Sequence, residues 1–201
     1  MEPAKLQFSA HEMNFMGNAD WILTKNDILN KVNTLMGELN VDQRRIAGTL
    51  CNPLPEEVLT TTAKISRGEN YKGLPYLVLD YPRLFAKNNI FAVRTMFWWG
   101  RYLSTTLHLS GKWQQIFAEM ILQRHQFLTE NSFLVATGSN EWDHDVTGDA
   151  YAPSASFSKE KLGKMFSEKP FLKLALFAPV AQLADGIEIW QAQFEKTFAL
   201  F

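Results

Sequence analysis

The stretch Phe91–Gly111 reads FAVRTMFWWGRYLSTTLHLSG and sets two arginines and a histidine in a run otherwise rich in apolar and hydroxyl-bearing residues. Its Phe, Val, Trp, Tyr and Thr residues suit a pleated, half-buried surface, which predicts strand on both sides of Gly100. Phe91–Trp98 reads as one strand and Tyr102–Leu109 as a second, with Trp99–Arg101 as the bend between them. One long strand, 91–109, kinked at Gly100 is the other arrangement a glycine there permits. Side chains alternate between faces along a strand. Phe91, Val93, Phe97, Trp99, Leu103, Leu107 and Leu109 then share a surface suited to packing on helices. Ala92, Arg94, Met96, Trp98, Tyr102, Ser104, Thr106 and His108 share the other, which mixes aromatic and hydrogen-bonding groups. A one-residue bulge at Gly100 would exchange the two faces in the second half.

Working outward, YLVLDY at Tyr76–Tyr81 is a strand that Pro82 ends, and Gly68, Asn70, Gly73 and Pro75 before it read as turn punctuation. After Gly111, the apolar residues from Trp113 to Leu128 recur at i, i+3, i+4 and i+7, predicting one amphipathic helix. A short strand at Phe133–Thr137, a long polar loop at 138–156, a helix at Ser158–Phe166 and a strand from Phe171 to Val180 follow. Leu183, Ile187, Trp190, Phe194 and Phe198 mark a C-terminal helix. Toward the N-terminus, Ser9 and Glu12 form a capping box for a short helix that Gly17 ends. Thr24–Asp27 opens a further helix carrying Ile28, Leu29, Val32, Leu35, Met36 and Leu39, and another helical stretch covers 42–50. Pro55 with Glu56 and Glu57 suits a helical first turn. The expected fold is α+β: an antiparallel or mixed central sheet packed against helices, with a helical N-terminal region. Residues 1–201 are read as a single domain, 1–66 mainly helical and 70–201 sheet plus packing helices.

Composition narrows the function classes. A net charge of −1 supplies no field to draw in nucleic acid or acidic lipid, and Arg44–Arg45 is the only adjacent arginine pair. No run reaches the roughly 18 apolar residues of a membrane span. The start lacks a secretory pattern, so a cytoplasmic location is expected. Cys51 is alone, which excludes an intramolecular disulfide. No Gly-rich nucleotide loop, GxSxG, HExxH, Walker or CxxC motif occurs, and no cofactor is expected.

The polar strand face carries the candidate chemistry. Arg94 suits an anion, and Trp98, Tyr102 and His108 complete a surface for a small anionic or planar ligand. Asp80, at the end of the neighbouring strand, is placed to orient Arg94 or His108. In a structural role, Arg94 pairs with Asp80 and His108 bonds the backbone. The 138–156 loop is long enough to fold over that face as a lid, with Trp142 as its anchor. Asp143, His144 and Asp145 are metal-ligand types, but the EF-hand order and a second histidine at ligand spacing are missing, so no metal is expected. The leading reading is a non-enzymatic binding or interaction protein with a ligand pocket on one sheet face, and a homo-oligomer joined through a sheet edge or the Trp190–Phe201 aromatics. The alternative is a small-molecule enzyme in which His108 moves a proton, Arg94 holds an anionic substrate and Asp80 orients one of them.

Overall fold

The computed structural model describes residues 7–49 and 54–201, so the readings of Cys51 and the first six residues lie outside the described residues. Seven strands form one antiparallel sheet in the order β1-β2-β3-β4-β7-β5-β6. They are β1 Lys64–Tyr71, β2 Leu74–Ala86, β3 Asn89–Trp98, β4 Tyr102–Ser110, β5 Leu134–Ala136, β6 Tyr151–Pro153 and β7 Phe171–Pro179. The helices are α1 Ala10–Gly17, α2 Asp20–Gly48, α3 Glu56–Leu59, α4 Lys112–Gln123, α5 His125–Glu130, α6 Lys159–Glu168 and α7 Gly186–Phe198. The α+β class, the antiparallel sheet and the helical N-terminal region agree with the sequence.

β3 and β4 form a hairpin, not one kinked strand. Trp98 pairs with Tyr102, Gly100 takes φ +67° in the turn, and the Arg101 N–H donates to the Trp98 carbonyl at 3.0 Å. Three residues in the turn pair odd numbers with odd: Phe91 with Leu109, Val93 with Leu107, Phe97 with Leu103. No bulge exchanges the faces, so the expected alternation holds across Gly100. The odd-numbered face meets the helices. Phe91, Val93, Leu107 and Leu109 pack with Trp113 and Phe117 of α4 and Phe194 and Phe198 of α7. Phe97 and Leu103 pack with Leu29, Val32, Met36 and Leu39 of α2 and Trp190 of α7. The Gln43 amide donates to Thr95 Oγ1 at 3.1 Å, tying α2 to the middle of β3.

Several elements differ from expectation. Residues 64–71 form β1, although Gly68 and Asn70 suggested a turn. Gly68 pairs with Tyr76, whose ring lies over it, so the cross-strand aromatic fills the space a side chain would take. The turn itself is confined to Lys72–Gly73. β2 continues past Pro82 because the register slips between Asp80 and Arg83, and a proline is tolerated where the ladder is interrupted. α2 starts at Asp20 and runs unbroken to Gly48, absorbing the start expected at Thr24–Asp27 and the separate stretch from Asp42. No proline interrupts it, and its buried stripe continues from Leu29 through Ile46. The helix expected to span 113–128 divides at Arg124, which leaves helical geometry at ψ 18° and lets His125 Nε2 meet the Phe157 carbonyl at 2.8 Å. The C-terminal aromatics are core rather than interface: Trp190, Phe194, Phe198 and Phe201 are all buried.

Candidate functional site

The even-numbered sheet face carries the polar residues that the alternation placed there. Arg94 on β3 sits opposite Asp80 on β2 and Thr106 on β4. Its Nε donates to Asp80 Oδ1 at 2.7 Å and its Nη2 to Asp80 Oδ2 at 2.9 Å, a two-point ion pair with a buried carboxylate. The third guanidinium nitrogen, Nη1, donates to His144 Nε2 at 2.7 Å. His108, two residues along β4 from Thr106, bonds Glu141 Oε2 through Nε2 at 3.1 Å. It lies opposite Lys173 of β7, whose ammonium donates to the carbonyls of Glu141 at 2.8 Å and Asp143 at 2.7 Å. Arg94 and His108 therefore do share one face, as expected.

The segment between β5 and β6 lies over that face. The Tyr102 hydroxyl donates to the His144 carbonyl at 2.8 Å and accepts from the Val146 N–H at 2.9 Å. Tyr71 donates to Asp143 Oδ1 at 2.9 Å and accepts from the His144 N–H at 2.8 Å, while Tyr151 donates to the Asp143 carbonyl. Lys72 pairs with Asp145 at 2.9 Å at the outer edge. Trp142 leans on His108, ring centroids 5.5 Å apart, and stays half exposed. Trp98 packs inward against Tyr71 and Tyr102. Asp143, His144 and Asp145 do not converge on a common point: they turn to Tyr71, Arg94 and Lys72 respectively. Among the described residues no group of three metal-ligating side chains forms.

Burial dictates the protonation of this cluster. His108 is held well below its ordinary value, to about 3, first by burial and then by Lys173 and Arg94. The partly exposed Glu141 carboxylate pulls the other way and is screened by solvent. The same causes push His144 down to about 2. Both imidazoles are neutral at pH 7, so Arg94 Nη1 meets an acceptor nitrogen on His144, and His144 Nδ1 is left buried with no hydrogen-bond partner. Burial lowers Lys173 to about 7, Arg94 adds to the lowering, and Asp143 and Glu141 oppose it. Burial raises Tyr71 to about 12 and pushes Tyr102 and Tyr151 up as well.

The space left among Arg94, His108, His144, Lys173 and Trp142 is about 10 Å³, room for roughly one water molecule. An open groove of about 440 Å³ begins on the far side of Trp142, walled by Phe85, Lys87, Ile90 and Glu141. The sequence reading did not single out Lys173, Tyr71 or Tyr151. A lysine between Leu172 and Leu174 in an apolar strand was the available signal.

A second surface lies at the N-terminal end of the described residues, on α1 and the start of α2. α1 buries none of its residues, and the first buried residue of α2 is Leu29. Phe8, Met13, Phe15 and Met16 are at least half exposed, as are Trp21, Ile22 and Leu23 at the start of α2. Phe15 and Trp21 stack on each other at 5.3 Å, and Ser9 caps α1 through Glu12. This N-terminal arm was not picked out from the sequence, although apolar residues falling on all sides of a helix signal burial by something else. Comparisons with family models, with curated proteins and with solved structures give no match, so the geometry of the arm and the covered sheet face is what carries a functional reading.

Proposed function

We propose that this chain is a non-enzymatic interaction protein that docks its N-terminal arm onto another polypeptide. One observation carries this reading: seven large apolar side chains of the arm stand in solvent, and no residue of α1 is buried. Contiguous apolar patches of more than a few hundred Å² mark interaction sites. A helix of eight residues is also unstable alone in water, so a partner that covers α1 would stabilise it. Self-association through the arm is one form of the reading. The acid–base alternative at His108, Arg94 and Asp80 has less support, because the Arg94 fork is already shared between Asp80 and His144 and the enclosed space takes about one water.

A photo-reactive benzoylphenylalanine in place of Met16, in the full chain within its own cells, tests the docking reading. Illumination is expected to give an adduct heavier than the 23.0 kDa chain. The same probe in place of Ile116, equally exposed on α4, is expected to give none. No arm-specific adduct would end the reading.

A second reading is favoured by the half-exposed pair Trp142 and Phe85 beside the 440 Å³ groove: stacking of a planar small molecule there, with Lys87 and Glu141 in the wall. Calorimetry with a planar heteroaromatic probe separates it from the first. Equal binding by the chain and by Trp142→Ala would rule it out.

A further inference from the structure

We infer that the groove beside Trp142 takes a guanine-type nucleotide, whose ring lies on Trp142, whose paired N–H donors face Glu141 and whose phosphate meets Lys87. This rests on the stacking reading and adds the chemical class of the ligand.

The acceptor end is built before any ligand arrives. Glu141 and Trp142 are adjacent in the chain and both line the groove of about 440 Å³, a volume within the range of small-molecule sites. The Lys173 ammonium donates to the Glu141 carbonyl at 2.8 Å, and Asn140 Oδ1 accepts the Trp142 N–H at 2.9 Å, so the main chain of both residues is held. His108 Nε2 meets Glu141 Oε2 at 3.1 Å. Burial keeps that imidazole neutral at pH 7, so it orients the carboxylate without cancelling its charge. The Glu141 side chain is 34% exposed, which leaves it within reach of a ligand. An ionised carboxylate only accepts hydrogen bonds, so its complement is an edge made of donors.

Charge and ring chemistry then narrow the ligand. Among the described residues Glu141 is the one anion of the groove wall and Lys87 the one cation. A ligand that uses both carries donors at one end and negative charge at the other, which excludes simple cations and simple anions. Trp142 supplies the stacking face. Its ring centroid is 6.3 Å from that of Phe85, less than the roughly 7 Å that a ring held between two others needs, so the ligand lies against the pair. Among the nucleobases, guanine alone sets a ring N–H beside an exocyclic amine on its Watson–Crick edge. Adenine and cytosine set a donor beside an acceptor, and uracil flanks one N–H with two acceptors, each of which a carboxylate repels.

Calorimetry on the purified full chain compares guanosine, inosine and adenosine 5′-monophosphates. Guanosine monophosphate is expected to bind tightest. Inosine monophosphate, which lacks only the exocyclic amine, is expected to bind at least about fivefold more weakly, and the adenosine nucleotide at least about tenfold. Glu141→Gln is expected to bring the guanine and hypoxanthine nucleotides within about twofold of each other. Lys87→Ala is expected to weaken the guanine nucleotide about threefold and to leave guanosine unchanged. Three nucleotides binding the unmodified chain alike, or a guanine preference that survives Glu141→Gln, would overturn the inference. The first comparison needs no variant, so it stands however the variants fold. Absence of guanosine monophosphate binding, with another planar probe still bound through Trp142, removes the guanine assignment and leaves stacking standing. Absence of binding by every planar probe removes both.

Discussion

Arg94 shows how one residue of the sheet face is committed. Its guanidinium satisfies the buried Asp80 carboxylate through two nitrogens and His144 through the third. Replacing it with Leu leaves Asp80 buried without its cation, at a cost of about 3–5 kcal/mol. Arg94→Leu with Asp80→Leu is expected to recover most of that loss, because replacing both members by apolar groups is close to neutral. Urea unfolding of the two single variants and the double checks it. Additive losses would mean that the pair does not act as a unit. This ion pair was legible in the sequence, since Asp80 and Arg94 sit on neighbouring strands and share a face. The partners of His108 and His144 were not. Glu141, Lys173 and Arg94 reach them from three different elements, and sequence spacing carries no information on such meetings.

Among the elements, the turns decide more than the strands do. Gly100 and Gly111 both have positive φ, at +67° and +58°. At Gly100 the position of a Cβ is open, whereas at Gly111 it falls on the Asn88 carbonyl, in the turn that joins β2 to β3. Asn89 Oδ1 accepts the Lys112 N–H at 2.8 Å there, so the start of α4 is seated on that turn. Gly100→Ala is expected to cost about 1 kcal/mol from backbone conformation alone. Gly111→Ala is expected to cost at least about 2 kcal/mol more, because a backbone atom must move. Thermal unfolding distinguishes them, and equal losses would contradict this account of the junction. Period and composition gave the type of most strands and helices, but β1 lies in a stretch read as a turn and β6 in one read as loop. Element limits were less readable: Pro82 lies at a register slip, and α2 continues through a stretch that looked like two helices.

For the assembled chain, the buried basic groups set the pH dependence. His108 and His144 are depressed in the fold to about 3 and about 2, so the unfolded chain binds their protons first as pH falls below about 6.5. Stability is expected to drop from there toward pH 3. Lys173 is depressed to about 7, so between pH 7 and its ordinary value the unfolded chain again holds the extra proton. Stability is therefore expected to rise with pH over that interval, by up to about 1 kcal/mol per pH unit. The raised Tyr71, Tyr102 and Tyr151 oppose this only above pH 10. Denaturant midpoints between pH 3 and 10 measure both limbs. A flat profile from pH 7 to 10, or the same slope in Lys173→Met, would contradict the role given to Lys173.

Local chemistry in the chain was enough to set the α+β class, strands of alternating faces on either side of Gly100, the capped first helix and the apolar stripes of α2, α4 and α7, whereas the choice of a hairpin over one kinked strand came from the folded register. Those features arise from alternation, periodicity and turn residues, which act between near neighbours. What needed the folded coordinates was the occupant of the polar sheet face and the surface left uncovered. The 138–150 segment folds onto Arg94, His108 and Lys173 because hydroxyls and cations from distant strands satisfy its backbone carbonyls and N–H groups. The C-terminal aromatics are used up in the core, and those of the arm are not. An exposed and a buried phenylalanine look alike in a sequence, since burial is a property of what the rest of the chain brings to it.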